Sequence, residues 1–262
     1  MPIGSNCEVP QGTVVDQLRA LGLSPGAVVV VHTAFRAVGP IEGGPAGLTA
    51  ALELAIGPAG TLVMPSMSDD DDRPFDAATT PCLTMGVVAD SFWRLPGVTR
   101  SDNVFAFAAK GPLARAITAP QPFSPPHGID SPVGRIAALG GFVLLLGTGH
   151  SSNTTVHLAE SLAGVPYHVR KSFTAIRDGA PVRVEYDETD HCCENFDRLD
   201  AWLRERKLQT EGPVGHGAAR LARGADVARV AVEHLVRDPF AFLHPRGSGC
   251  VECEQAWTSV GQ

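Results

Sequence analysis

Leu144-Leu145-Leu146-Gly147-Thr148-Gly149-His150-Ser151-Ser152-Asn153-Thr154-Thr155-Val156-His157-Leu158-Ala159-Glu160 is the most informative stretch of this chain, and its pattern sets the architecture. Its apolar half, residues 142–147, predicts a buried strand. The small polar residues after it cap helices well, and they predict a helix over 154–162. A glycine-containing loop that leaves a strand at its carboxyl end and opens a helix is where α/β folds bind ligands. The loop is not a dinucleotide fingerprint, because Gly147-x-Gly149 lacks the third glycine at the required spacing.

The same alternation continues outward. A β-branched run at 27–32 and a second apolar run at 61–65 read as buried strands, with a further strand at 104–108. Val14, Leu18 and Leu21 lie at helical spacing, as do Leu48, Leu52 and Ile56, whose helix is closed by Gly57-Pro58; residues 86–95 predict another helix. From 173 to 186 the pattern becomes a hairpin turned at Asp178-Gly179. Helices are then predicted near 194–206, from Gly217, and over 225–237. Strands alternating with helices predict an α/β fold with a central mixed sheet covered by helices. No repeat or long linker divides the chain, so residues 1–262 read as a single compact domain.

The chain has 262 residues, 21 basic and 28 acidic, for a net charge of −7, and it is 44% apolar. That apolar content excludes disorder as the main state. An acidic chain without a basic stripe argues against nucleic acid and suits a cationic small molecule. The apolar runs fall far short of the ~20 residues a membrane helix needs, and the first twelve residues lack a secretory pattern. A cytoplasmic location is expected.

Six cysteines fall at Cys7, Cys82, Cys192, Cys193, Cys250 and Cys253. In a reducing compartment, two tight groups point to metal or catalysis rather than disulfides. His191-Cys192-Cys193 with Cys250-x-x-Cys253 matches the ligand types of a structural zinc site. Buried thiol pairs are the plainer alternative; an acyl-accepting nucleophile is a third and needs a nearby base. Neighbours in an extended segment point to opposite sides, so His191, Cys192 and Cys193 are not all expected to face one metal.

His157, in the first turns of the helix after the loop, is a general-base candidate provided a carboxylate partners it. Glu160, one turn on, and the acids of Asp187-Glu188-Thr189-Asp190 are the possible partners; without one, His157 reads as a structural histidine. Asp69 to Asp72 form either a solvated loop or a negative wall for a polyamine or amino sugar. His32 ends the first strand before Thr33-Ala34-Phe35-Arg36-Ala37-Val38-Gly39, a loop that lines a cofactor channel or merely caps the sheet.

Together these motifs resemble the aminoglycoside 3-N-acetyltransferase family. The resemblance is carried by Val31-His32-Thr33-Ala34-Phe35-Arg36-x-Val38-Gly39, Gly57-Pro58-x-Gly60-Thr61-Leu62-Val63-Met64-Pro65-Ser66 and Phe75-Asp76-x-Ala78-Thr79-Thr80-Pro81. It continues through Gly147-x-Gly149-His150-x-x-Asn153-Thr154-Thr155-x-His157-Leu158-Ala159-Glu160, Asp190-His191-Cys192-Cys193-Glu194 and Glu211-Gly212-Pro213-Val214-Gly215-His216. Leu243-His244-Pro245 and the cysteine tail resemble the type IV branch, which accepts apramycin as well as gentamicin-like drugs.

The resemblance implies acetyl transfer from acetyl-CoA to the 3-amino group of a 2-deoxystreptamine antibiotic. It implies the family's own α/β fold, distinct from GCN5-related acetyltransferases, whose Gln/Arg-x-x-Gly-x-Gly/Ala segment this chain lacks. Carried over by position, the general base falls on His157 and its orienting carboxylate on Glu188. The co-substrate segment falls on His32, Thr33, Ala34, Phe35 and Val38, with Ser66 and Ser101 beside it. The cationic substrate falls to Asp69, Asp70, Glu160 and Asp190. Attack is then direct, in a ternary complex, and the cysteines are structural, consistent with zinc on His191, Cys192, Cys193, Cys250 and Cys253.

Two departures stand out. Thr33-Ala34 replaces the usual Ser-Ser, and Asn103-Val104 replaces His-Pro, so co-substrate contacts there must differ. Three other readings remain: a zinc-dependent hydrolase, which needs an open metal position; a non-catalytic binder, which would not bind acetyl-CoA; and the same transfer to a non-antibiotic amine. Monomer and homodimer are both compatible with the sequence. If the acids at 69–72 attract the substrate, KM for an aminoglycoside rises with ionic strength; a KM indifferent to salt would assign them to solvent.

Overall fold

The computed structural model describes residues 7–68 and 73–260. Its centre is three parallel strands, β1 (Val28–Thr33), β2 (Thr61–Pro65) and β5 (Phe142–Leu146), with β1 between the other two. These are the near-continuous apolar runs of the sequence, as befits strands covered on both faces. On one flank β4 (Phe107–Lys110) pairs antiparallel with β2, and the short β3 (Thr99–Arg100) pairs with β4. On the other, β9 (Gly217–Arg223) pairs antiparallel with β5 and β8 (Gln209–Val214) with β9. The sheet order is therefore β3-β4-β2-β1-β5-β9-β8. The α/β class with a large mixed sheet flanked by helices is as expected.

Side-chain alternation along the central strands sorts the core. Val29, Val31, Leu144 and Leu146 pack against the helices Gln11–Leu21, Gly44–Ile56 and Gly86–Phe92. Val28, Val30, Val143 and Leu145 face the opposite layer, built from Pro132–Ala138, Thr155–Ala163, Arg198–Glu205, Gly224–Leu235 and Val251–Ser259. A separate hairpin, β6 (Val169–Arg177) and β7 (Ala180–Glu188), turns at Asp178 (φ 51°) and Gly179 (φ 76°), the two positive φ values a type I′ turn demands. Phe173 and Tyr186 from this hairpin pack with Phe75 in a satellite core.

Two expectations change. The helix expected from Gly217 is strand β9. Its alanine-rich sequence favours a helix locally, but both its edges are paired, with β5 and β8, and that tertiary pairing overrides propensity. The strand expected at 104–108 is Phe107–Lys110, because residues 104–106 belong to the loop leading into it. No helix among the described residues is long and apolar enough to cross a membrane.

β1 runs parallel to β2 on one side and to β5 on the other, so the chain's crossovers depart in opposite directions at its carboxyl end and leave a crevice there. Gly147 lets the crevice form. Its φ is +68°, and a Cβ there would lie 2.7 Å from the Ala37 side chain and 3.0 Å from the Ala34 carbonyl. The Gly147→Ala variant is expected to lose about 1–3 kcal/mol of stability in urea unfolding. An unchanged midpoint would show that the loop after β1 yields freely.

Candidate active site

The crevice is a cavity of about 320 Å³. β1 contributes His32 and Thr33, with Ala34 just after it; β2 contributes Met64 and Pro65; the loop after β5 contributes Thr148, Ser151, Ser152 and Asn153. His157, Cys193 and Phe196 close it on one side, Met85 and Gly86 on the other. The loop is held by its own side chains. Asn153 accepts the Thr155 amide at 3.0 Å and meets the buried His150 ring at 3.0 Å. His150 in turn reaches Gln209 at 2.8 Å, and Asp197 accepts the Ser151 amide at 2.9 Å. A fixed loop presents the helix Thr155–Ala163, and hence His157, to the cavity.

The centre of the site is Glu160, which is fully buried. Its Oε2 lies 2.7 Å from Nδ1 of His157; its Oε1 accepts the Tyr167 hydroxyl at 2.8 Å and faces Nε2 of His191 at 2.7 Å. Burial alone would raise this carboxyl, yet His191 and His157 together hold it down at about 2. Glu160 is therefore an anion at every physiological pH. It contributes stability above its unfolded-state value near 4.5 and loses it as pH falls toward 2. His191 also meets the Cys192 carbonyl through Nδ1 at 2.8 Å, so both its ring nitrogens face oxygen atoms.

His157 is the only member of this cluster with a side chain open to the cavity, at 17% exposure. Burial would lower its pKa, but the Cys193 sulfur, 3.6 Å from Nε2, and the Glu160 carboxylate outweigh that and hold it well above the ordinary value. Phe196 packs edge-on against the ring at 5.0 Å, and His127 stacks on it at 5.4 Å. Burial, then the charge of His157, push His127 well below the ordinary range, so it is a neutral ring stacked against His157. The site can accept a proton at an oriented imidazole beside an apolar, ligand-sized cavity. It can also present a thiol to the same imidazole.

Several sequence expectations are revised. The carboxylate on His157 is Glu160, not Glu188; the (i, i+3) helical spacing already made Glu160 reachable. Glu160 is in turn too buried and too fully bonded to touch a substrate. Glu188 and Asp190 instead bracket the Lys171 ammonium at 3.1 and 2.6 Å. Burial, with Asp190 adding to it, raises the Glu188 carboxyl against the pull of Lys171. His32, Thr33 and Ala34 line the cavity, and His32 Nε2 and Thr33 Oγ1 are buried without a partner among the described residues. Burial, then His150, bring His32 down to about 4, so its ring is neutral.

Val38 lies wholly in the core, and Phe35 packs beneath the loop. Ser66 and Ser101 are buried and engaged internally: Ser66 accepts from Arg100 at 3.1 Å, and Ser101 accepts the Phe107 amide at 2.9 Å. None of these four lines the cavity. Asp69 and Asp70 lie outside the described residues. Sequence reasoning missed Tyr167, His127 and Lys171. No spacing rule connects them to His157, and the only local hint is His127 in the turn-forming Pro125-Pro126-His127-Gly128.

The expected five-residue metal set also divides. His191 and Cys193 belong to the His157–Glu160 cluster, whereas Cys192, Cys250 and Cys253 lie together elsewhere. His157, Glu160 and His191 are not a metal site, since their ligand atoms approach to 2.7 Å. Nitrogen and oxygen ligands arranged tetrahedrally about zinc stand ~3.3 Å apart. Hydrogen bonds account for the contacts.

Residues 30–236 match the aminoglycoside 3-N-acetyltransferase family. The chain belongs to that family. It is 54% identical to aminoglycoside N(3)-acetyltransferase IV from Salmonella sp, over 90% of this chain and 91% of that protein. Among solved structures it is similar to a histidine-to-alanine mutant of AAC(3)-IVa in complex with a gentamicin (TM-score 0.94, 52% identity, 98% of this chain and 100% of that one). The apramycin complex of such a mutant matches with a TM-score of 0.88 and 51% identity over 95% and 100% of the two chains. A more distant relative is AAC-IIIb in a binary complex with CoASH (TM-score 0.81, 25% identity, 88% and 97%). The chain is thus an enzyme of the transferase class, as its sequence motifs lead one to expect.

The acetyltransferase's pH profile tests the role of the buried anion. Glu160 favours the imidazolium of His157, so removing its charge lowers the His157 pKa. Glu160→Gln is expected to move the acid limb of kcat/KM to lower pH while reducing turnover. A limb that stays in place would mean that another group titrates there.

Proposed function

We propose that this enzyme transfers the acetyl group of acetyl-CoA to the 3-amino group of a 2-deoxystreptamine aminoglycoside, conferring resistance, with His157 as general base and Glu160 as its orienting carboxylate. The observation that carries the reading is His157 itself. Its Nδ1 is bonded to a buried anion, and its ring opens into the crevice at the strand ends. The gentamicin and apramycin complexes of the AAC(3)-IVa mutant, and the CoASH complex of AAC-IIIb, support the two substrates.

A bound aminoglycoside brings positive charge beside His157, which disfavours its imidazolium and returns the ring toward the neutral form that catalysis needs. The 3-amino group attacks the thioester carbonyl, and its proton passes to His157. Glu160 stabilises the imidazolium that forms, as the carboxylate does in a serine-type triad. Collapse breaks the C–S bond, and the CoA thiolate leaves with the proton from His157. The unpartnered His32 Nε2 and Thr33 Oγ1 are polar contacts for the pantetheine arm, and Met64, Met67 and Met85 form its apolar wall. Glu188 and Asp190, the acids that hold the Lys171 ammonium, are the carboxylates offered to a substrate ammonium. The chain works as one domain in the cytoplasm, where acetyl-CoA is available.

A second reading has a specific observation behind it: Cys193 Sγ stands 3.6 Å from His157 Nε2. In that route the Cys193 thiolate takes the acetyl group, CoA leaves as the thiol, and the amine then displaces Cys193. The ternary route predicts that Cys193→Ser keeps turnover near wild type. The covalent route predicts its near-complete loss, and an acetylated Cys193 in the intact mass after acetyl-CoA alone.

Thiol release from acetyl-CoA is the primary test, run against gentamicin, apramycin and amikacin. Turnover with a 3-amino drug is expected, and His157→Ala should reduce it about 10²–10⁴-fold with drug binding retained. Near-full turnover in that variant would overturn the assignment of the base. Acetyl-CoA binding with no turnover on any drug would move the substrate to another amine.

A further inference from the structure

Cys192, His244 and Cys250 come from three separate segments: the exit of β7, the loop at 238–249, and the start of the helix Val251–Ser259. One ligand atom of each lies within 4.8 Å of the other two. Cys253, one helical turn beyond Cys250 and fully buried, bonds to Cys250 through the two side chains. All three cysteines are free thiols.

Backbone and side-chain contacts hold the sulfurs together. The His244 amide donates to Cys253 Sγ at 3.4 Å, the Cys192 backbone also bonds Cys253, and the Glu194 backbone bonds Cys192. Glu194 Oε2 sits 3.3 Å from His244 Nε2, a carboxylate partner of the kind that orients a metal-bound imidazole. The Trp257 indole donates to the His244 carbonyl at 2.8 Å and fixes the backbone that carries the ring. Three sulfurs and one imidazole match the Cys₃His structural class, in which thiolates at ~2.3 Å from zinc stand ~3.8 Å apart. Cys192, His244 and Cys250 hold their ligand atoms within 4.8 Å of one another, and Cys253, bonded to Cys250, is the fourth donor beside them.

We propose that Cys192, His244, Cys250 and Cys253 form a structural zinc site that fastens the C-terminal helix to the segment exiting β7. The flanking residues of Cys192 explain its use. His191 on one side reaches Glu160, and Cys193 on the other reaches His157. A metal on Cys192 therefore fixes the register of both. No step of the reaction passes through it, because four protein ligands leave no open position.

The test uses the full chain, expressed with zinc and dialysed into metal-free buffer. Metal analysis is expected to find one zinc per chain, falling at least about tenfold in Cys192→Ser and Cys250→Ser and remaining in Cys82→Ser, whose thiol is buried near Asp90. Where a variant fails to fold, cobalt substitution of the wild-type protein decides. Thiolate-to-cobalt charge transfer with intense tetrahedral d–d bands supports the site; weak octahedral bands overturn it. Folded wild-type protein without zinc, zinc retained in both serine variants, or a disulfide among these cysteines would also overturn it.

Discussion

A carboxylate sealed from water and satisfied by three side chains organises this molecule. Glu160 takes donors from His157, Tyr167 and His191, which lie on its own helix, just beyond that helix, and after the β6–β7 hairpin. A buried charge that loses a partner costs about 3–5 kcal/mol, so the three donors cannot be released one at a time without penalty. The segment leaving β7 is thereby drawn across the helix Thr155–Ala163. That crossing brings Cys193 over the exposed edge of His157 and Phe196 beneath its ring. The same anion that knits the segments together raises the basicity of the His157 imidazole at the cavity.

The sheet supplies the other half of the arrangement. Because β1 is central and its crossovers diverge, its carboxyl end opens into the crevice, and His32 and Thr33 emerge there with polar atoms unpartnered among the described residues. Gly147 lets the loop after β1 lie directly against the end of β5. The cavity is thus bounded by rigid strand ends on one side and by the Glu160 cluster on the other. Its walls combine small polar groups, methionine and the rings of His32 and His157.

The His191-Cys192-Cys193 triplet does two jobs because its backbone is extended. Cys192 has φ −62° and ψ 124°, so successive side chains diverge. His191 and Cys193 go to the acid–base cluster, and Cys192 goes to the tail of the chain. Histidine and cysteine residues that look like one ligand set in sequence are thus divided by the opposite directions of neighbouring side chains.

The layer architecture was legible in the residues alone, since buried apolar strands alternating with amphipathic helices have few other ways to hide their surface. So was the placement of His157 at the crevice, through the strand–loop–helix that carries it, and so was the family, through motifs spread along the chain. The partner of that histidine came from the fold. Glu160 and Glu188 were both acids within plausible reach, and desolvation together with competing donors chose the first while Lys171 claimed the second. Likewise Gly217–Arg223 became a strand because β5 and β8 each had an edge to satisfy, a demand made from far away in sequence. Tyr167, His127 and His244 were illegible for the same reason: contacts between distant segments obey no spacing, and only packing brings them together.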